Sequence, residues 1–334
     1  MQRLVLRRRV HSGLGAHEAP VMRIAVLGPG GVGGLITGAL DRAGIDVVVI
    51  ARESTCETIS SRGLQVSSVL LGDFVAHPPA SARLSEPVDV LIVATKADGL
   101  ADALDRVEGV PALVLPLLNG LDHLTILRER FGEGTVVAGT IRVEVDRPEP
   151  GVVVHTSRFL RVDMASREQA MRAPMQRLAD MLAGAGVPAS VYRPDGDRPP
   201  PADGGEAQVM WSKLVRLNAL ACTTSAFDRL LGEIRCTPEL RGELIGAIEE
   251  GCAVARAEGA WIESGDPLGE LTAAHATLGS SMQRDIAAGR RPELDAIPGA
   301  VLRAAARHGI ACPTIERLVG MIAARAGVPP PATS

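Results

Sequence analysis

The hydrophobic pattern near the start of the chain predicts a strand, a turn, a helix and a second strand. Residues 23–27 (RIAVL) and residues 47–50 (VVVI) are short apolar runs rich in β-branched side chains. Between them lie a glycine-rich stretch at 28–34 and a segment with helical spacing at 35–43. A strand, a helix and a second buried strand in this order form a βαβ unit, so a parallel sheet is predicted to begin here.

The same alternation continues as far as residue 192. The predicted strands are at 88–94, 112–118, 135–145, 152–155, 159–162 and 189–192, and the predicted helices are at 99–106, 121–131 and 167–183. Regular alternation of strands and helices is typical of a doubly wound, mostly parallel sheet with helices on both faces. We therefore expect an α/β domain over residues 22–195.

A change of pattern divides the chain after residue 192. Residues 193–205 include four prolines together with aspartate and glycine, which is typical of a surface loop. From residue 206 to residue 328 the apolar positions follow helical spacing, and no strand is predicted. We expect a linker over 196–205, an all-helical C-terminal domain over 206–328 and a disordered tail over 329–334.

Composition limits the classes of partner. The chain has 334 residues, 46% of them hydrophobic, and a formal net charge of −4. Aromatic residues make up only 2%, but aliphatic residues are abundant enough for a large core, so bulk disorder is excluded. Nucleic acids require a basic surface, and a membrane span requires roughly 18 apolar residues, more than runs such as 110–118 provide. We expect neither nucleic acid nor a membrane as a partner.

The cysteines and the first 21 residues bear on location. The five cysteines are odd in number and lack metal-ligand spacing, which favours a reducing cytoplasm and predicts no metal site. Residues 1–21 are rich in arginine but have neither an apolar segment of adequate length nor a small-residue cleavage site. We expect them to be a disordered extension or the product of an upstream start, rather than a targeting segment.

The glycine-rich turn after the first strand is typical of a dinucleotide site. Its residues are Gly28, Pro29, Gly30, Gly31, Val32 and Gly33, which match G-x-G-x-x-G between a strand and a helix. Backbone N–H groups and a helix N-terminus in this arrangement can hold a pyrophosphate. The turn and the parallel sheet together predict a Rossmann-type N-terminal domain.

The residue after the second strand bears on the choice of cofactor. NAD-selective proteins usually have Asp or Glu here, whereas this chain has Arg52, whose planar guanidinium suits a ribose 2′-phosphate. We expect NADP. The neighbouring Glu53 and the abundance of surface arginines leave NAD as the alternative.

The balance of basic residues singles out two lysines. Lys96 and Lys213 are the only lysines beside 33 arginines, and Asn119 and Asn218 are the only asparagines. A desolvated lysine can lose its proton at working pH, whereas an arginine cannot, so lysine can act as a general acid or base. Lys96 and Asn119 follow predicted strands, where doubly wound sheets bind ligands, and Lys213 is on the first long helix of the second domain. Chance retention of the two lysines is the alternative.

Taken in order along the chain, these residues resemble the ketopantoate reductase family. The resemblance extends from residue 22 to about residue 325. It rests on the Gly28 turn, Lys96, the Asn119-Gly120 pair, Trp211-x-Lys213-Leu214, Ser280-Ser281-Met282-x-x-Asp285 and Pro292-Glu293-Leu294-Asp295.

The resemblance implies reduction of 2-dehydropantoate (ketopantoate) to pantoate by NADPH, a step of pantothenate biosynthesis. It implies that Lys213 protonates the developing alkoxide and that Glu293 lies near the lysine and the cofactor. Lys96 and Asn119 match residues at the nicotinamide and the substrate, and Ser281 matches a substrate hydrogen-bonding residue. A ketone that becomes an alkoxide needs a positioned cation and a proton donor, which independently supports these roles.

Two departures from the family pattern concern the substrate. Family members often have asparagine four and eight residues beyond the lysine, where this chain has Leu217 and Ala221. Asn218 is rotated by about 100° from Leu217 on a helix and cannot replace these asparagines without a change of register. Arg142 and Glu144 are expected on one face of the strand at 135–145, where they either bind a substrate carboxylate or form a solvated pair at the sheet edge.

Several functions stay open on these grounds. NADPH-dependent reduction of ketopantoate is the first, and reduction of a different keto acid is the second, since Leu217 and Ala221 make the substrate wall apolar. A nonenzymatic NADP-binding redox sensor is the third, and it would not need Lys213 and Glu293 together. A homodimer through the helical domain is compatible with the sequence, which gives no direct evidence for it.

Overall fold

The structure is a computed structural model that describes residues 22–194 and 201–332. The predictions for residues 1–21, for linker residues 196–200 and for residues 333–334 lie outside the described residues. Two parts follow one another along the chain: an α/β part at residues 22–192 and a helical part at residues 206–326.

The α/β part contains strands and helices close to those that the hydrophobic pattern predicts, and residues 53–81 add one helix and three strands that were not predicted. In chain order its elements are β1 (Ile24–Leu27), α1 (Gly31–Arg42), β2 (Val47–Ile50), α2 (Glu53–Arg62), β3 (Leu64–Ser68), β4 (Phe74–Ala76), β5 (Ala80–Ser81), β6 (Val90–Val93), α3 (Leu100–Leu104), β7 (Leu113–Pro116), α4 (His123–Phe131), β8 (Ala138–Arg142), β9 (Val145–Asp146), β10 (Val152–His155), β11 (Arg161–Ala165), α5 (Arg172–Gly184) and β12 (Ala189–Val191).

Five parallel strands form the central sheet in the order β5-β2-β1-β6-β7. Strands β1, β2, β6 and β7 are buried along their whole length. Their sequences are continuously apolar, as expected where both faces of a sheet are covered. The strand order reverses between β1 and β6, and open α/β sheets bind ligands in the crevice at such a point.

Two smaller sheets complete the α/β part. Val136, just before β8, forms a parallel bridge with Val114 of β7, so the sheet β12-β11-β8 continues the central sheet. The sheet β4-β3-β10-β9 packs against α1. Gly34 permits this packing, because a Cβ there would lie 2.6 Å from Cγ2 of Val153.

The single strand predicted at 135–145 is wrong. Strand β8 ends at Arg142, and β9 contains only Val145 and Asp146 and belongs to a different sheet, where it pairs antiparallel with β10. The chain passes from one sheet to the other at residues 142–145, where the alternation of charged and apolar residues (Arg-Val-Glu-Val) continues the period of two that a single strand would show. The hydrophobic pattern therefore gives no sign of the break.

Among its described residues, the helical part contains seven α-helices, a short π-helix at Asp295–Gly299 and no strand. The α-helices are α6 (Glu206–Phe227), α7 (Leu231–Cys236), α8 (Pro238–Ala257), α9 (Gly265–Ala273), α10 (Ser281–Ala287), α11 (Ala300–Arg307) and α12 (Pro313–Ala326). The predicted fold class, an N-terminal Rossmann-type sheet followed by an all-helical part, is confirmed. Among the described helices, none combines the length and apolarity needed to cross a bilayer.

Helix α6 connects the two parts. It packs against α8 and α12 and also against β8. At its first residue, the buried carboxylate of Glu206 accepts hydrogen bonds from Nη2 of Arg128 (2.7 Å) and from the backbone N–H of Arg167 (3.1 Å). Both donors belong to the α/β part, so this buried contact fixes the start of α6 relative to the sheet.

Candidate active site

A cleft of about 1220 Å³ lies between the carboxyl edge of the central sheet and the helical part. The predicted site residues that line it are Gly28, Pro29, Gly30, Gly31, Val32, Arg52, Lys96, Asn119, Lys213, Leu217, Ser281 and Glu293. Gly33 and Ala221 are not in its wall. Residues more than 250 positions apart in sequence thus face one cavity.

The glycine turn forms one end of the cleft. Gly28 has φ +91°, and a Cβ there would lie 2.8 Å from Cγ2 of Thr95. A Cβ on Gly33 would run into the carbonyl oxygen of Gly28, so this glycine allows α1 to pack closely on the turn. The N-terminus of α1 opens on the cleft at Gly30 and Gly31, an arrangement that fits the pyrophosphate of a dinucleotide.

Three arginines surround the cleft beyond β2. Arg52 precedes α2 and is exposed, and Arg83 and Arg106 line the same end. Arg106 donates to the carbonyl oxygen of Ala82 (3.1 Å) and pairs with Glu53 (3.4 Å), so the charge of Glu53 is offset by its own partner. The sequence pattern predicted Arg52 but not Arg83 or Arg106, which come from distant segments and look like ordinary surface arginines.

Lys213, Asn119 and Glu293 form a hydrogen-bonded chain across the two parts. Nζ of Lys213 donates to Oδ1 of Asn119 (2.9 Å), and Nδ2 of Asn119 donates to Oε2 of Glu293 (2.9 Å). Lys213 projects from α6, and Asn119 follows β7. The amide group of Asn119 is held from both sides, which orients the ammonium of Lys213 at the wall of the cleft.

The protonation of Lys213 is shifted by its surroundings. The pKa of its ammonium is lowered to about 8, chiefly by burial; Glu293 raises the pKa, and the nearby Arg216 and Arg142 add to the lowering. An ordinary lysine titrates near 10.4. Lys213 can therefore exchange a proton close to neutral pH, which is the property that a general acid or base requires.

Lys96 forms a second connection between the parts. Its Nζ lies 2.8 Å from Oδ2 of Asp285, whose other oxygen is 2.7 Å from Nε of Arg290. The Asp285 side chain is 7% exposed, whereas that of Lys96 is 50% exposed and is open to the cleft. Lys96 does not contact Asn119 or Lys213 through any hydrogen bond found among the described residues.

The two serines before α10 differ in their roles. Ser280 is buried, accepts a hydrogen bond from the backbone N–H of Gln283 and so caps the helix. Ser281 is exposed and lines the cleft, where its hydroxyl is accessible to a ligand. Ser280 thus has a structural role as the helix cap, and Ser281 does not share it.

One face of α6 forms the wall beside Lys213. Leu217 and Leu220 line the cleft, whereas Ala221 does not and is instead buried in the core of the helical part. The prediction that Ala221 contacts the substrate is therefore not supported by its position. At about 100° per residue, position 220 is rotated by about 20° from Lys213 and position 221 by about 80°. Asn218 is also fully buried and outside the wall.

Arg142 and Glu144 do not pair with each other, and they do not share a strand. Nη1 of Arg142 donates to both carboxylate oxygens of Glu270 (3.0 and 2.9 Å), and Nη2 donates to the carbonyl oxygen of Ser212 (3.1 Å). Glu144 lies 3.4 Å from Nε2 of His275. Both residues line the cleft, but each has a separate partner in the helical part.

Two further residues were missed by the sequence analysis. Arg216 lines the cleft one turn beyond Lys213, and its only distinguishing signal in the sequence is this spacing on the predicted helix. His123 is buried near Lys213, and burial lowers its pKa to about 3. Elsewhere in the part of the chain that is described, no group of three or more His, Cys, Asp or Glu side chains is placed to hold a metal ion.

The chain is similar to known proteins along most of its length. The family model for ketopantoate reductase PanE/ApbA matches residues 24–168, and the model for its C-terminal region matches residues 207–326. The uncharacterized oxidoreductase YkpB of Bacillus subtilis is 30% identical over 305 residues, which cover 88% of this chain and 96% of that protein. A 2-dehydropantoate 2-reductase of Halobacterium salinarum is 29% identical over 310 residues, covering 90% of this chain and 98% of its own.

Solved structures have the same architecture. The crystal structure of a 2-dehydropantoate 2-reductase from Geobacter metallireducens is similar with a TM-score of 0.79 and 27% identity, covering 90% of this chain and 99% of its own. A ternary structure of D-mandelate dehydrogenase with NADH and anilino(oxo)acetate shares the fold, with a TM-score of 0.81 at 21% identity. The match covers 92% of this chain and 98% of the dehydrogenase chain. With both family models matched along most of its length, the chain belongs to the ketopantoate reductase family of oxidoreductases.

Proposed function

We propose that the protein reduces 2-dehydropantoate to pantoate with NADPH, a step of pantothenate biosynthesis. The observation that carries the proposal is the chain Lys213–Asn119–Glu293 at the wall of a cleft that begins at the glycine turn. The Halobacterium and Geobacter relatives are named as 2-dehydropantoate 2-reductases, which supports the choice of substrate.

In the proposed reaction, bound NADPH supplies a hydride to the carbon of the ketone. Lys213 donates a hydrogen bond to the ketone oxygen, where negative charge develops, and then transfers its proton to that oxygen. The ketone is thereby reduced to a secondary alcohol, and NADPH is oxidised to NADP⁺. Asn119 and Glu293 hold the ammonium in place, and Ser281 donates a hydrogen bond to the substrate.

The choice of NADPH over NADH rests on charge at the far end of the cleft. Arg52 supplies positive charge where the adenosine ribose of a dinucleotide would lie, and its neighbours Arg83 and Arg106 are paired with Glu108 and Glu53. An arginine suits a 2′-phosphate, which NAD lacks. The D-mandelate dehydrogenase of the same fold is described with NADH, so both cofactors belong in the test.

A second candidate, reduction of a different 2-keto acid, is favoured by the apolar face of α6. Leu217 and Leu220 offer no hydrogen bond to the terminal hydroxyl of ketopantoate. A 2-keto acid with an apolar side chain would leave no polar group unpaired against this wall.

The test is NADPH oxidation, followed by absorbance, with ketopantoate, 2-oxoisovalerate, pyruvate and phenylglyoxylate side by side, each repeated with NADH. We expect turnover with ketopantoate and the higher kcat/KM with NADPH. Clear preference for another keto acid would select the second candidate. Tight NADPH binding without turnover of any keto acid would contradict both and favour the redox sensor.

A further inference from the structure

The geometry points to Arg216 as the residue that binds the carboxylate of the keto acid. This inference rests on the proposed function and adds the part of the site that recognises the acid group. Neither the glycine turn nor the chain Lys213–Asn119–Glu293 offers a second positive charge for that group, and the two asparagine positions of the family are not polar here.

Arg216 is placed one helical turn from Lys213 on the face of α6 that lines the cleft. Side chains three positions apart on a helix are neighbours, with Cβ atoms about 5–6 Å apart. In a 2-keto acid the carboxylate is bonded directly to the ketone carbon. A substrate with its ketone oxygen at Lys213 would therefore bring its carboxylate into the range of Arg216.

The guanidinium of Arg216 has unused hydrogen-bonding capacity. Its side chain is only 14% exposed, yet the hydrogen bonds found among the described residues include none from this group. Nε lies 3.2 Å from Oε2 of Glu270 but is buried without a hydrogen-bond partner, because the N–H is not aligned with that oxygen. A largely desolvated arginine with free donors is a strong site for a carboxylate, which can accept two parallel hydrogen bonds from it.

The contacts of Arg142 explain why Glu270 does not use the hydrogen-bond donors of Arg216. Both oxygens of Glu270 already accept from Nη1 of Arg142, which is further fixed by the carbonyl oxygen of Ser212. Glu270 therefore neutralises Arg142 first and approaches Arg216 only from the side of Nε. Arg142 is a positioning residue, and the terminal nitrogens of Arg216 stay available to a ligand.

The other charged groups near Arg216 are consistent with one bound carboxylate. Lys213 and Arg142 contribute positive charge, and Glu270 and Glu144 contribute negative charge. Phe159, whose ring centroid lies 6.0 Å from Cζ of Arg216, closes the cleft on an apolar side. A monocarboxylate with an apolar or weakly polar side chain fits this balance.

The experiment compares a 2-keto acid with its methyl ester, which keeps the ketone and lacks the negative charge. The substrate is the best keto acid of the panel above, and kcat/KM with NADPH is measured for wild type, Arg216→Gln and Arg216→Lys. Arg241→Gln, which changes an exposed arginine on α8, is the matched control. Thermal unfolding and NADPH binding are measured for every variant.

We expect wild type to prefer the acid over the ester by about 10- to 100-fold, the range for hydrogen bonds to a charged group. Arg216→Gln should lose most of this preference through a higher KM for the acid, with the ester nearly unaffected, and Arg216→Lys should retain part of it. Equal losses for acid and ester, or no loss for either, would overturn the assignment. Failure of wild type to reduce any keto acid would instead overturn the proposed function.

Discussion

At the scale of single residues, the proposed chemistry depends on the proton of Lys213. Burial lowers its pKa to about 8, Arg216 and Arg142 act in the same direction, and Glu293 acts against them. Such an ammonium is mostly protonated at neutral pH and is a better proton donor than an exposed lysine. Because burial lowers the pKa of His123 to about 3, that neighbour stays neutral over the same pH range.

The pH dependence of reduction follows from this shift. The proposed reduction requires protonated Lys213, so kcat/KM should be level near neutral pH and fall about tenfold per pH unit above about 8. In Glu293→Gln the negative charge that raises the pKa of Lys213 is removed, so the break should move to lower pH. Glu249→Gln, an exposed site on α8, is the control and should leave the break in place. A break at the same pH in Glu293→Gln would contradict the electrostatic role of Glu293.

Some residues of the candidate site can be predicted from the sequence, and others cannot. Lys213 and Asn119 stand out because only two lysines and two asparagines exist in the chain. Arg216, Arg83 and Arg106 are hidden among 33 arginines. Only the folded chain shows which guanidiniums face the cleft, because that depends on contacts between distant segments.

At the scale of elements, the turn between β1 and α1 depends on a close approach. A Cβ on Gly33 would meet the carbonyl oxygen of Gly28 and lie 3.1 Å from Cβ of Ala94. The obstacles are backbone and a short side chain, so the helix or the turn would have to move. The pattern G-x-G-x-x-G made this element predictable, because the contact between Gly28 and Gly33 is local in the sequence.

Gly33→Ala should weaken NADPH binding by at least about 10-fold and destabilise the fold by about 1–3 kcal/mol, as overpacking does. The matched substitution is Gly134→Ala, since nothing lies within 4 Å of a Cβ at that position. Fluorescence titration with NADPH and urea unfolding test both effects. Unchanged NADPH affinity in Gly33→Ala would show that the turn tolerates the methyl group.

The orientation of helix α6 could not be predicted from its hydrophobic periodicity. Its buried positions lie on several faces, because it is packed between α8, α12 and β8, so the apolar pattern does not reveal which side meets the cleft. The difference between Leu220 and Ala221 is a rotation of about 100°, which only the orientation of the helix resolves. The buried contact of Glu206 with Arg128 sets the position of its first turn.

Glu206→Ala should destabilise the protein by about 3 kcal/mol, because it leaves the largely buried Arg128 without its charge partner. The double variant with Arg128→Ala should lose less than the sum of the two single losses. Urea unfolding of wild type, the two single variants and the double variant measures the coupling free energy between Glu206 and Arg128. Glu249→Ala serves as the exposed control. Additive losses would mean that the pair does not act as a unit.

At the scale of the whole molecule, the site exists only where the two parts meet. Lys96 and Asn119 come from the sheet, and their partners Asp285 and Glu293 come from the helical part. The order of strands and helices and the change to an all-helical pattern were predictable, because each depends on local periodicity. The partners across the cleft were not, since 189 and 174 residues separate the two pairs.

The central claim is that Lys213 is the proton donor for reduction of a 2-keto acid by NADPH. The most direct test is kcat for ketopantoate with saturating NADPH, in wild type and in Lys213→Ala, together with NADPH affinity in both proteins. The proposed mechanism predicts a loss of about 100- to 10,000-fold in kcat, the range for general acid catalysis, with NADPH affinity retained. A Lys213→Ala enzyme that reduced ketopantoate at nearly the wild-type rate would contradict it.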